Sequence, residues 1–179
     1  MRKKAFILMA SLVFVLMSSA SFAVELGFKG GVHEPIDDYG DIVDTGFTVG
    51  GQIKGPISDR IFWGLHLAYS AASGEISSPG GDIDVDVTMV ELYPFLDLYA
   101  FRSNTSGLFF RGGLGFNFWE IEASSGGMSS SEDGTDMMIS AGLGFNFLNG
   151  FELVASFNRM FDDDDADYIT ATIGYNFKF

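Results

Sequence analysis

From Val24 to Phe179, apolar and polar residues alternate with a period of two, in runs separated by stretches rich in Gly, Ser, Asp and Pro. That period belongs to strands with one buried face and does not fit the 3.6-residue repeat of a helix. No apolar run in this stretch approaches the roughly 20 residues of a membrane-spanning helix, so any crossing of a bilayer must be made by strands. Eight runs are predicted, near 24–33, 45–54, 61–72, 83–101, 108–121, 136–147, 151–161 and 167–179.

Ahead of these runs lie Arg2, Lys3 and Lys4, an apolar run from Ala5 to Met17, and Ser21-Phe22-Ala23 as a small-x-small cleavage site. This is the layout of an export signal over residues 1–23, with one domain over residues 24–179. The chain has no cysteine, which removes disulfides, thiolate catalysis and thiolate metal ligation. Three of its ten cations fall in the signal and none of its twenty-four acids does. The remainder is therefore strongly acidic, and no nucleic acid is expected as a partner.

The connections alternate in character. Those near 34–44, 73–82, 122–135 and 162–166 are mostly long and acidic, whereas 55–60, 102–107 and 148–150 are short. Long outer loops and short inner turns are how outer-membrane barrels are wired. The expected fold is all-β: an eight-stranded antiparallel up-and-down transmembrane β-barrel.

One face of the runs is apolar and carries residues such as Phe28, Val49, Trp63, Leu67, Phe116, Leu143 and Ile173. The other is polar, and it balances Lys29, Lys54, Arg111 and Lys178 against Glu25, Glu91, Asp97 and Glu152 although the molecule as a whole is acidic. A soluble lipocalin-like barrel would have the same period with its apolar face inside, but a solvated polar face would share the general acidic excess. A closed interior must pair its charges, so these eight residues are predicted to form a luminal charge network. Gly113, Gly115, Gly142, Gly144 and Gly174 on the same face are expected to leave room for the long charged side chains. In the fourth run, Ile83, Val85, Val87 and Met89 are in phase with the polar face. A bulge would reconcile this; the reading preferred is a strand that continues above the membrane, with these side chains plugging the lumen.

The terminal run, Thr172-Ile173-Gly174-Tyr175-Asn176-Phe177-Lys178-Phe179, places alternating aromatics on a strand that ends in Phe. In this and in its general architecture the chain resembles the OmpA-type and OmpX-type barrels and the wider opacity-protein-like superfamily. The resemblance implies a bacterial outer-membrane protein in contact with lipid and lipopolysaccharide. It makes Gly174, Tyr175, Phe177 and Phe179 a targeting signal for the barrel-assembly machinery. It also implies a role in envelope integrity, adhesion or binding of an extracellular or host ligand. Phe101, Phe110, Phe147 and Phe151, with Phe177 and Phe179, are expected to gather as a girdle at the periplasmic boundary.

Eighteen of the twenty-four acids lie in the outer connections and their flanks, with no lysine or arginine beside them. Hard cations such as Ca or Mg prefer several oxygens, and Asp162, Asp163, Asp164 and Asp165 are the candidates to hold one; a solvated, repulsive surface is the simpler reading. Asp82-Ile83-Asp84-Val85-Asp86 starts like a calcium loop, but Val87 and Tyr93 stand where its glycine and bidentate Glu are required. His66 and Ser70 share the polar face and form a conceivable nucleophile pair. The chain lacks a His-x-Ser pair, however, and neither an enzyme nor a resident cofactor is expected. A lipid A modifying enzyme and a small ion-conducting pore are the alternatives.

Overall fold

The computed structural model describes residues 24–78, 81–103, 106–126, 128–161 and 166–179. The predicted signal and Asp162 to Asp165 lie outside the described residues. Eight strands follow one another: β1 (Glu25–Ile36), β2 (Gly46–Pro56), β3 (Ile61–Ser78), β4 (Gly81–Ser103), β5 (Ser106–Ser125), β6 (Met128–Asn146), β7 (Phe151–Phe161) and β8 (Ala166–Lys178). Each pairs antiparallel with the next, and β8 closes the ring on β1. No described helix is long and apolar enough to cross a membrane. One helical turn, α1 (Asp37–Gly40), lies between β1 and β2. The period-two pattern gives no sign of it.

The apolar face points outward, with Phe28, Val49, Leu67, Leu143 and Ile173 all exposed. In water such a belt would aggregate; facing lipid it has its proper solvent. Trp63 is the exception, for although it stands on the outward phase its indole is buried against Gly55. The expected girdle residues Phe101, Phe110, Phe147, Phe151, Phe177 and Phe179 are all exposed near the periplasmic ends of their strands.

Strands β3 to β6 run further outward than the alternation predicts, as does β1, which reaches Ile36. Segments 73–82 and 122–135, read as loops, are largely strand: β3 pairs with β4 up to Ser78↔Gly81, and β5 with β6 up to Ser125↔Met128. At the second of these tips Gly126 has φ +59°, a conformation that favours glycine in a tight hairpin. The 23 residues of β4 far exceed the roughly 10 of a tilted membrane strand. The belt shows where lipid ends. Tyr69, Val90 and Phe118 form its last apolar row across the ladder, and the next row outward is Ala71, Thr88, Glu120 and Asp133.

β4 keeps one phase past Pro94 with no bulge there; the register shift falls instead between Tyr99 and Phe101. Val85, Val87 and Met89 are buried while Asp84 and Asp86 are exposed, as expected of a strand that continues above the membrane.

Candidate functional site

The lumen and the sheet above it are where this chain can act. The lumen is filled in three layers. Nearest the periplasm, Phe62, Tyr99, Phe109 and Val154 form a small apolar cluster, and Asn146 donates its amide to the Tyr99 hydroxyl. The period-two pattern alone does not mark this floor.

Above it lies the ionic layer. Arg111 makes a bidentate pair with Asp97 (2.7 and 2.8 Å), reaches Glu152 at 3.4 Å and donates to Gln52 at 3.0 Å. Lys54 meets Glu152 at 2.5 Å and Glu25 at 3.7 Å, and Lys178 closes on Glu25 at 3.7 Å. Gln52 and Asn176 donate to Glu152 at 2.9 and 3.2 Å, using its remaining acceptor sites. The Arg111 guanidinium also lies over the Phe95 ring, 3.9 Å from its centroid, a cation–π contact strengthened by desolvation.

Six of the eight predicted residues thus form one connected chain. The other two stand apart: Glu91 faces His66 (3.9 Å) and Ser70 (3.4 Å). Lys29 is half-buried, within electrostatic reach of Glu91, Glu152 and Asp97 but in no close ion pair among the described residues.

The glycines serve a different purpose from the one predicted. A Cβ on Gly113 or Gly115 would strike Tyr93, and one on Gly144 would strike Phe109; only Gly174 of the five borders a charged side chain, Lys29. The clearance mostly admits flat rings. Arg and Lys stems need less, since they lie along the wall.

The outer layer is apolar and closed by a lid. Val85, Val87, Met89, Met138, Met160 and Tyr168 pack together with Val43 from the β1–β2 connection. Tyr39 of α1 is edge-on to His33, which in turn stacks on Tyr168. Desolvation raises Tyr39 above its ordinary range, and its hydroxyl has no hydrogen-bond partner.

His66 and Ser70 both turn toward Glu91, while His66 Nδ1 is buried without a partner. Nothing there orients the imidazole as a base for Ser70. Outside, exposed acids oppose one another across the protruding ladder in the pairs Glu75↔Asp84, Asp86↔Glu122 and Glu120↔Asp133. Like charges in such positions destabilise a sheet. The expectation that no cation accompanies the outer acids is corrected at one point. Arg159 on β7 stands opposite Asp167 on β8 and holds it in a bidentate pair, both contacts 2.7 Å. Among the described residues no group of three or more His, Asp and Glu side chains is placed to hold a metal.

The sequence matches the family described as the outer membrane protein beta-barrel domain over residues 5–179. The chain belongs to that family. It is accordingly a bacterial outer-membrane protein, and the closed ring with its lipid-facing belt is the form that membership requires. A comparison with curated proteins finds no match.

Among solved structures, Ail, the attachment invasion locus protein of Yersinia pestis, is 21% identical, covering 87% of this chain and 97% of that one with a TM-score of 0.55. Ail has also been solved in complex with the heparin analogue sucrose octasulfate. The N-terminal β-barrel domain of Pseudomonas aeruginosa OprF is 19% identical, with coverages of 87% and 97% and a TM-score of 0.53. Neisserial surface protein A is 11% identical, with coverages of 88% and 100% and a TM-score of 0.56. At these identities the likeness is one of fold.

Proposed function

We propose that this family member is a non-conducting anchor whose work is done by the acidic sheet and loops it holds above the membrane, in surface interaction and envelope integrity. The observation that carries this reading is a lumen filled by an apolar floor, an ionic layer and a lidded apolar cap. Eight strands enclose little more than the space their own side chains fill, and this one spends it on packing. That argues against a pore. Catalysis is disfavoured because the His66 and Ser70 side chains are buried within the plug and directed at Glu91.

Lipid and lipopolysaccharide surround the belt. The aromatics Tyr175, Phe177 and Phe179, with Gly174, serve as the terminal signal read by the assembly machinery, and residues 1–23 direct export. In the finished barrel Tyr175 and Phe177 are packed edge to face, their centroids 4.8 Å apart, and belong to the girdle. Divalent cations bridging the outer acids, Asp162 to Asp165 among them, to lipopolysaccharide phosphates would fit the chemistry of both. A sulfated ligand of the kind seen with Ail does not suit this chain, whose outer end is acidic; its extracellular partner is cationic.

The test is accessibility on intact cells. With Ser131→Cys at the outer sheet, a membrane-impermeant maleimide should label whole cells, while lipopolysaccharide acyl-chain masses stay unchanged on expression. A cysteine there that reacts only after lysis, or an altered acyl pattern, overturns the reading.

A further inference from the structure

Of the five methionines that lie beyond residue 23, three turn into one spot in the outer lumen. Met138 and Met160 stand opposite each other across the β6–β7 ladder, and Met89 reaches in from β4. All three are almost fully buried, whereas Met128 and Met137 are exposed. Their thioethers gather around one amide. Asn117 Nδ2 lies 2.9 Å from Met160 Sδ, 3.3 Å from Met89 Sδ and 3.3 Å from the Tyr168 hydroxyl, which is itself 3.9 Å from Met138 Sδ.

For stability alone this is a poor use of an asparagine. A thioether is a weak acceptor, and the amide spends its donors there while its Oδ1, a much stronger acceptor, is buried without a partner. Methionine's flexibility suits gap-filling, but gap-filling gives no reason for a half-satisfied amide at the centre. A cation at the point where the sulfurs converge would take the place of the amide hydrogens, and a turn of the Asn117 side chain would bring Oδ1 toward its charge. Neutral thioethers suit a soft, monovalent ion such as Cu(I), not the hard Ca or Mg that the outer acids would prefer. Glu91, two residues along β4 from Met89 and hydrogen-bonded to Tyr168, supplies a negative charge beneath the cluster.

We propose that Met89, Met138 and Met160 form a three-thioether binding site for Cu(I) in the outer lumen, beneath the α1 lid. The site is independent of what the outer sheet binds, and it gives a ligand to a lumen otherwise used for packing. A thioether has no proton to lose, unlike a thiol or an imidazolium, so the affinity should stay flat between about pH 5 and 8.

The probe is silver nitrate in chloride-free buffer, since Ag(I) shares the soft, closed-shell character of Cu(I) and needs no reductant. The full chain, isotope-labelled at the methionine methyls and folded in detergent micelles, is titrated with it and followed by NMR. The methyl signals of Met89, Met138 and Met160 should move together and saturate at equal concentrations of ion and protein, while those of Met128 and Met137 stay in place. Magnesium should move none of the three. Met138→Leu and Met160→Leu, which keep the apolar volume, should each weaken silver binding by about tenfold or more, and Met137→Leu should not. Heat-dependent gel mobility shows whether each variant is folded, and the wild-type titration decides alone if one is not. The proposal is overturned if the three inner signals stay still, if silver moves only the exposed methionines, or if folded leucine variants bind as tightly as the wild type. An affinity that falls steeply below about pH 6, as at a histidine site, overturns it as well.

Discussion

Arg111 is the residue on which the ionic layer turns, since it is buried and shared by Asp97, Glu152 and Gln52. Replacing it by Met strands the buried Asp97 carboxylate, while Glu152 keeps Lys54, and losing one partner of a buried pair costs about 3–5 kcal/mol. Urea unfolding in lipid vesicles, followed by tryptophan emission, should show a loss of that size for Arg111→Met and a smaller one for the double variant with Asp97→Leu. Tyr39→Phe should act in the opposite direction. It removes a buried hydroxyl that has no partner, and such a group is destabilising by roughly 1–3 kcal/mol, so the midpoint should rise. Gly144→Val should sharply reduce refolding yield because its side chain meets the Phe109 ring, with partial recovery when Phe109 is also shortened to Ala.

At the scale of elements, the eight strands are legible in the sequence wherever one face meets lipid, because there the period of two is written in hydrophobicity. The signal vanishes above the last apolar row. In Ser73–Ser78 and Glu122–Thr135 both faces of the sheet lie beyond the lipid belt, so the sequence looks like a loop although the ladder continues from its neighbours. The same rule explains the lumen. Glu25, Lys54, Asp97, Arg111, Glu152 and Lys178 are recognisable because lipid would reject them and a closed interior accepts charges that balance. Phe62, Phe109 and Val154 are not, since a buried apolar side chain carries no mark of the side of the wall it faces. The Arg159–Asp167 pair is hidden for another reason: the two residues lie on different strands, and only the β7–β8 register sets them side by side. Hydrogen exchange in micelles checks the extended strands: amides of Val85–Thr88 and Glu120–Ala123, paired on β4 and β5, should exchange far more slowly than those of a loop, and fast exchange would return these segments to coil.

At the scale of the molecule, the strands divide one chain into an apolar exterior, a charge-compensated interior and an acidic crown. The ionic layer joins three cations to three acids, whereas the outer connections and their flanks concentrate most of the remaining negative charge. The first arrangement makes a stable plug; the second keeps the outer surface soluble and selects positive partners. Conductance across a planar lipid bilayer tests the plug most directly. Purified wild-type protein, shown to be folded by its heat-dependent gel mobility, should insert and leave the current at baseline. Stable, reproducible conductance steps from that same preparation would contradict a filled lumen and turn the barrel into a pore.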